Sequence, residues 1–185
     1  VRILEGHEGP VLVSALSSDG KLALTASNDG PARLWDIDSG RTPVLLSGHA
    51  GNVTDATFSR DGQRIVTVAN RGVQVWDRAG KKINSWSEQD ARPLATNGDR
   101  IFMQNWNYWE ENHDGTGFLV DAITGRRVST IFANTEIVSA RFSADGAKLV
   151  TAANDRSVQV WDVLSGRELS VLRGHPEAVT SIAIG

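Results

Sequence analysis

A pattern that returns at a near-constant interval constrains this chain more than any single residue does. Three segments end in Leu34-Trp35-Asp36, Val75-Trp76-Asp77 and Val160-Trp161-Asp162, and a degraded one ends in Leu119-Val120-Asp121. Trp35 and Trp76 are 41 positions apart, Trp76 and Val120 are 44, and Val120 and Trp161 are again 41. A period of that size marks a repeat architecture, in which one small unit buries its apolar faces only by stacking on its neighbours.

The first period shows what the unit is. Residues 10–16 form a short, largely apolar run, followed by Ser18-Asp19-Gly20-Lys21 and a second run over 22–27. An Asp-Gly pair between two such runs is a strong hairpin signal. Asn28-Asp29-Gly30-Pro31 makes the next turn, residues 32–35 the third run, Ile37-Asp38-Ser39-Gly40 another turn, and 42–47 a fourth run. The unit predicted is four antiparallel strands joined by tight turns. Asp-Gly recurs at Asp61-Gly62 and Asp145-Gly146, and the turn after the third run recurs at Ala79-Gly80, Thr124-Gly125 and Ser165-Gly166. Glycine suits such turns because a Cβ disfavours positive φ.

A lone four-stranded sheet cannot bury both faces, whereas sheets stacked radially cover one another as the blades of a β-propeller. Together, Gly-His at 6–7, 48–49 and 174–175 and Trp-Asp at 35–36, 76–77 and 161–162 make the chain resemble the WD-repeat (WD40) family over essentially its whole length. The fold class expected is all-β: about four complete blades, at 7–47, 49–86, 87–132 and 133–172, with 1–5 and 175–184 as strands of incomplete flanking blades. Rings of this family usually carry seven or so blades. The chain also opens on Val1 inside a repeat, so the expectation is an arc of a larger, bacterial multidomain protein. An open arc would expose apolar blade faces and self-associate.

The resemblance implies a structural set in each well-formed blade, in which an indole N–H donates to a hydroxyl, the hydroxyl bonds an imidazole and a carboxylate holds the imidazole. By position these are His7, Thr25, Asp29 and Trp35 in the first repeat, His49, Thr67 and Trp76 in the second, and Thr151, Asp155 and Trp161 in the fourth. The second repeat's turn, Asn70-Arg71-Gly72, is one residue shorter and lacks the Asp, and Ala133 stands where the fourth repeat's His is expected. The third repeat has Ser87-Glu88-Gln89-Asp90 at the Gly-His site and Val120 for Trp. Hydroxyl, imidazole and carboxylate are also the group types of a hydrolase triad, but catalysis further needs an exposed nucleophile, an oxyanion hole and a pocket. The hydroxyl is always Thr, a poor general nucleophile, so the set is read as structural and the chain as no enzyme.

Partner-binding candidates lie on turns, where rigid scaffolds carry function. The third repeat replaces its family turn with an extension that holds Trp106, Tyr108, Trp109 and His113. Exposed Trp and Tyr are common interface anchors. Alternation with Asn equally fits a long hairpin whose aromatics replace the core missing from that repeat, and both readings stand at this stage. Asn28, Arg71 and Asn154 edge the channel mouth in this family, and Glu8, Asn52 and Glu177 follow the Gly-His anchors.

Composition excludes several classes. With no cysteine there is neither a disulfide nor thiolate chemistry, which fits a reducing, cytoplasmic setting. A net charge of −3 without a basic stripe argues against nucleic acid, and the lack of a long apolar run argues against a membrane span. One His among flexible carboxylates at 110–114 is no metal signature, so neither metal nor cofactor is expected. The function expected is a non-catalytic protein–protein interaction scaffold or ligand-sensing module of a larger protein, bound to a protein partner or neighbouring domain. The alternative is an enzyme-associated propeller that gates or hosts an active site supplied elsewhere.

Overall fold

The computed structural model describes residues 3–69, 72–88, 91–105, 115–133 and 135–184. Among them every regular element is a strand, sixteen in all, arranged as four antiparallel four-stranded blades. The chain divides into two compact units, residues 1–87 and 88–185. No helix among the described residues is long and apolar enough to cross a membrane.

The first unit holds two blades. One is built from β1 (Val11–Leu16), β2 (Leu22–Ser27), β3 (Ala32–Asp36) and β4 (Val44–Leu46), and the other from β5 (Asp55–Phe58), β6 (Arg64–Ala69), β7 (Gly72–Asp77) and β8 (Lys82–Ser87). Each is a simple meander with neighbouring strands in sequence order. Successive side chains on a strand point to opposite faces, so Leu34 and Trp35 part company. Leu34 joins Leu24, Ala26 and Leu46 against Val53, Ala56, Phe58, Ile65 and Trp76 of the second blade. Trp76 therefore faces back onto the first blade. Trp35 points the other way, where Ile3, Leu4 and Glu5 line a cavity beside it.

The second unit repeats the arrangement with β9 (Ala91–Thr96), β10 (Arg100–Asn105), β11 (Gly117–Asp121) and β12 (Arg127–Ile131), then β13 (Ile137–Phe142), β14 (Lys148–Ala153), β15 (Val158–Asp162) and β16 (Glu168–Leu172). Trp161 again faces the preceding blade, packed with Phe102, Leu119, Ile131, Ile137 and Leu149. On the opposite face of the fourth blade, Val150, Ala152 and Val158 are covered by Val179, Ile182 and Ile184.

Two kinds of turn punctuate the blades. Between the first and second strands, a serine three positions before the glycine organises the hairpin. Ser17 Oγ donates to Asp19 at 2.6 Å and accepts from Leu22 N at 2.9 Å, and Gly20 N closes onto Ser17 O at 2.9 Å. Ser59-Asp61 and Ser143-Asp145 do the same. Between the third and fourth strands, the aspartate of Trp-Asp is the organiser. Asp36 accepts from Asp38 N and Ser39 N, Asp77 from Ala79 N and Lys81 N, Asp121 from Ile123 N and Thr124 N, and Asp162 from Ser165 N. The carboxylate stands in for the backbone acceptors that a tight turn lacks.

Strand limits differ from expectation at the edges. The fourth run of the first repeat is only β4, three residues long, and neither 3–5 nor 175–184 is assigned to a strand. A strand is held by its ladder, and those two segments have no paired neighbour among the described residues.

Candidate functional site: the indole–hydroxyl–imidazole relay and its rim

In the first blade β2 places Thr25, β3 places Trp35, and the flanking turns bring in His7 and Asp29. Trp35 Nε1–H donates to Thr25 Oγ1 at 2.8 Å, and Thr25 Oγ1 lies 2.7 Å from His7 Nε2. His7 Nδ1 is 3.0 Å from both oxygens of Asp29. The His7 and Asp29 side chains are only 7% and 9% exposed. An indole can only donate, so the hydroxyl accepts from it and turns its own hydrogen to the imidazole Nε2. Asp29 is an acceptor, so the Nδ1 that faces it carries a proton. The hydroxyl is thus engaged on both sides, unlike a nucleophile presented to a pocket.

Asp29 does more than hold the imidazole. It also accepts from Glu8 N at 2.8 Å and from Arg33 Nη2 at 3.1 Å. Burial pushes the Asp29 carboxyl up, but the Glu8 amide, His7 and Arg33 together outweigh that and hold it below the ordinary range. Sequence reasoning missed Arg33. The available signal was a charged residue between Ala32 and Leu34 at the centre of an apolar strand, directly opposite Thr25 in the ladder.

The second blade keeps three members. Trp76 Nε1–H donates to the buried Thr67 Oγ1 at 2.9 Å, and that oxygen lies 2.7 Å from His49 Nε2. Among the described residues no carboxylate follows. Burial, with Lys82 nearby, pushes His49 down to about 4, so the ring is neutral at ordinary pH. The fourth blade keeps the indole–hydroxyl bond, Trp161 Nε1–H to Thr151 Oγ1 at 2.9 Å. Ala133 is buried in the apolar core there. With no imidazole to hold, Asp155 accepts from Ser157 N and Ser157 Oγ, and Arg173 Nη1 lies 3.6 Å away.

The third blade replaces the polar set with apolar packing. The ladder aligns Met103 with the hydroxyl position, Val120 with the indole and Phe118 with Arg33. Met103, Phe102, Leu119 and Val120 are all buried, and Arg127 lies over the Phe118 ring, 3.7 Å from its centroid. Gly117 is required by this crowding, since a Cβ there would stand 2.6 Å from Met103 O and from the Phe102 ring.

On the rim, Asn28, Glu8, Asn52 and Asn154 are exposed. Asn52 donates to Asn28 at 3.4 Å, and Asn154 Nδ2 donates to Glu136 at 2.7 Å. His175 and Glu177 lie exposed in the final segment. Arg71, Trp106, Tyr108, Trp109 and His113 lie outside the described residues. Among the described residues, no three of His, Cys, Asp and Glu come together as a metal would require.

The family model described as "WD domain, G-beta repeat" matches residues 1–36, 40–77 and 125–162. The first, second and fourth Trp-Asp pairs fall inside those spans, and most of the third blade falls between them. The chain is 29% identical over 160 residues to the small ribosomal subunit protein RACK1 of Brassica napus, covering 86% of this chain and 41% of that protein. It is 33% identical over 175 residues to the U3 small nucleolar RNA-associated protein 15 homolog of Gallus gallus, covering 90% and 32%. Against eukaryotic translation initiation factor 3 subunit I of Aspergillus niger it is 22% identical over 183 residues, covering 91% and 53%. The chain thus spans about a third to about half of these relatives' lengths. With its blades, its relay and more than half of its residues matched, the chain belongs to the WD40 repeat family.

Proposed function

We propose that this chain works as a non-catalytic binding module that docks a protein partner or a neighbouring domain. The observation that carries this reading is the state of the one complete hydroxyl–imidazole–carboxylate set among the described residues. Its hydroxyl is held between an indole and an imidazole, its carboxylate between an imidazole, an amide and a guanidinium. Groups so fully engaged hold loops in place; they do not attack substrates. Two of the relatives named above are by name parts of larger assemblies, a ribosomal subunit and an initiation factor, which fits a docking role. On this reading the module operates in the cytoplasm, and 1–5 and 175–184 belong to flanking blades supplied by further chain or a second copy.

The contacts proposed are Trp106, Tyr108, Trp109 and His113 in the extension of the third repeat and, each taken by itself, the turn residues Asn28, Arg71 and Asn154. Phe102, Met103, Phe118 and Leu119 already fill the third blade. That favours an interface role for the extension over a substitute core. Trp106→Ala and Trp109→Ala test it. The expected result is an unchanged urea midpoint with lost capture of the partner by the parent protein. A midpoint lowered as far as a core truncation lowers it would reverse the assignment.

A further inference from the structure

The sequence contains a single Asn-Gly pair, Asn97-Gly98, and it forms the turn between β9 and β10. The other three blades make that turn with a serine and a carboxylate, Asp19, Asp61 or Asp145. The third blade uses a threonine and a carboxamide. Asparagine is a thermolabile residue, most so before glycine, which has no side chain to keep its amide nitrogen from the carboxamide carbon.

The reaction of such a pair has a strict geometry. The Gly98 amide gives up its proton, and its nitrogen bonds to Asn97 Cγ while the Cγ–Nδ2 bond breaks. Nδ2 leaves with that proton as ammonia. Water then opens the cyclic imide, hydroxyl to one carbonyl carbon and hydrogen to the nitrogen, giving aspartate or isoaspartate. The imide nitrogen is planar, so the new N–C bond must lie where the N–H bond lay.

The fold keeps Cγ from that place. Gly98 is buried, and its N–H donates to Thr96 Oγ1 at 3.0 Å, while Thr96 Oγ1 donates to Arg100 O at 3.1 Å. The Asn97 carboxamide is drawn along the chain in the other direction, its Oδ1 accepting from Asp99 N at 3.0 Å and Arg100 N at 2.8 Å. Its Nδ2 abuts the fourth blade's turn, 2.9 Å from where a Cβ on Gly146 would stand. Asn84 has the opposite arrangement, since the amide of its successor Ser85 donates to Asn84 Oδ1 itself at 2.8 Å.

We infer that Asn97 is a deamidation site locked by Thr96, which reacts only when the β9–β10 turn opens and then leaves a covalent record of that opening. Isoaspartate lengthens the backbone by one methylene inside the turn that Asn97 N closes onto Arg100 O at 3.1 Å. Aspartate keeps the acceptor but loses the Nδ2 group that meets the fourth blade.

The test is incubation of the whole chain in warm neutral buffer, folded and in urea above its transition, with peptide mass spectrometry of Asn97 and Asn84. Folding is expected to slow Asn97 at least about tenfold, and more than it slows Asn84. Thr96→Val removes the hydroxyl at constant shape and should speed the folded chain's reaction at Asn97 about three- to tenfold while leaving Asn84 unchanged. Thr96→Ser should keep the lock. In the unaltered chain, urea added below the transition should raise the rate at Asn97 in step with hydrogen exchange of the Gly98 amide. That comparison needs no variant to fold. A folded chain that reacts at Asn97 as fast as the unfolded one overturns the inference, as does equal slowing at the two sites or a rate at Asn97 that ignores Gly98 exchange.

Discussion

Replacing Asp29 with alanine separates the complete relay from the incomplete ones. The side chain accepts from His7, the Glu8 amide and Arg33, and His7 and Arg33 have side chains only 7% and 14% exposed. Water can rehydrate the Glu8 amide but reaches the other two poorly. A buried donor left unpaired costs about 1–3 kcal/mol. With two largely shielded donors and partial relaxation, Asp29→Ala should cost about 2–3 kcal/mol. Asp155→Ala is the internal control, because Asp155 accepts only from its neighbour Ser157 and meets Arg173 in solvent. Its loss should be about 1 kcal/mol or less. Urea denaturation followed by tryptophan fluorescence and far-ultraviolet circular dichroism measures both. For a slope of about 2 kcal/mol per molar, Asp29→Ala should lower the midpoint by about 1 M and Asp155→Ala by less than about 0.5 M. The sign with pH follows from the depressed carboxyl of Asp29. Its contribution is complete above the ordinary value of 3.8 and disappears as pH falls through the lower folded value. The gap between wild type and Asp29→Ala should therefore close in acid. Equal losses for the two variants, or a gap that widens in acid, would refute the reasoning.

His49 gives the second pH signature. Its folded pKa of about 4 lies below the ordinary 6.5, so its contribution is present in full above pH 6.5 and is lost as pH falls toward 4. Discounted for the partly exposed ring, the loss should be about 1–2 kcal/mol and absent in His49→Phe, as urea midpoints across that window would record. Trp35→Ala removes a buried indole and should cost about 3–5 kcal/mol, more than Asp29→Ala, in the same assay. Gly117→Ala forces a methyl against Met103 O and the Phe102 ring and should lower stability by about 1–3 kcal/mol, read as a fall in Tm.

The blades were legible because their punctuation is chemical. Asp-Gly turns and Trp-Asp endings mark hairpins whose hydrogen bonds depend on those very side chains, and the meander and the sites of Thr25, Thr67 and Thr151 follow from the period. Arg33 was not legible as a relay member, since only the ladder shows that it sits opposite Thr25. Nor was the fate of the third blade. That Met103, Phe118 and Val120 occupy the relay positions depends on how β10 and β11 pair, which spacing alone cannot count in a repeat of different length. Asp155 shows a third limit. The same residue type at the same phase changes partner, from imidazole to Ser157, once Ala133 removes the imidazole.

The Trp-Asp pair is two devices with separate duties. The indole fills space between sheets, while its neighbour caps a hairpin within one sheet, so either can be lost without the other. Asp121 still accepts from Ile123 N and Thr124 N although Val120 has displaced the indole. A census of such repeats by tryptophan will overlook members that have drifted in this way. A census by the capping aspartate, followed three or four positions later by glycine, recovers all four here.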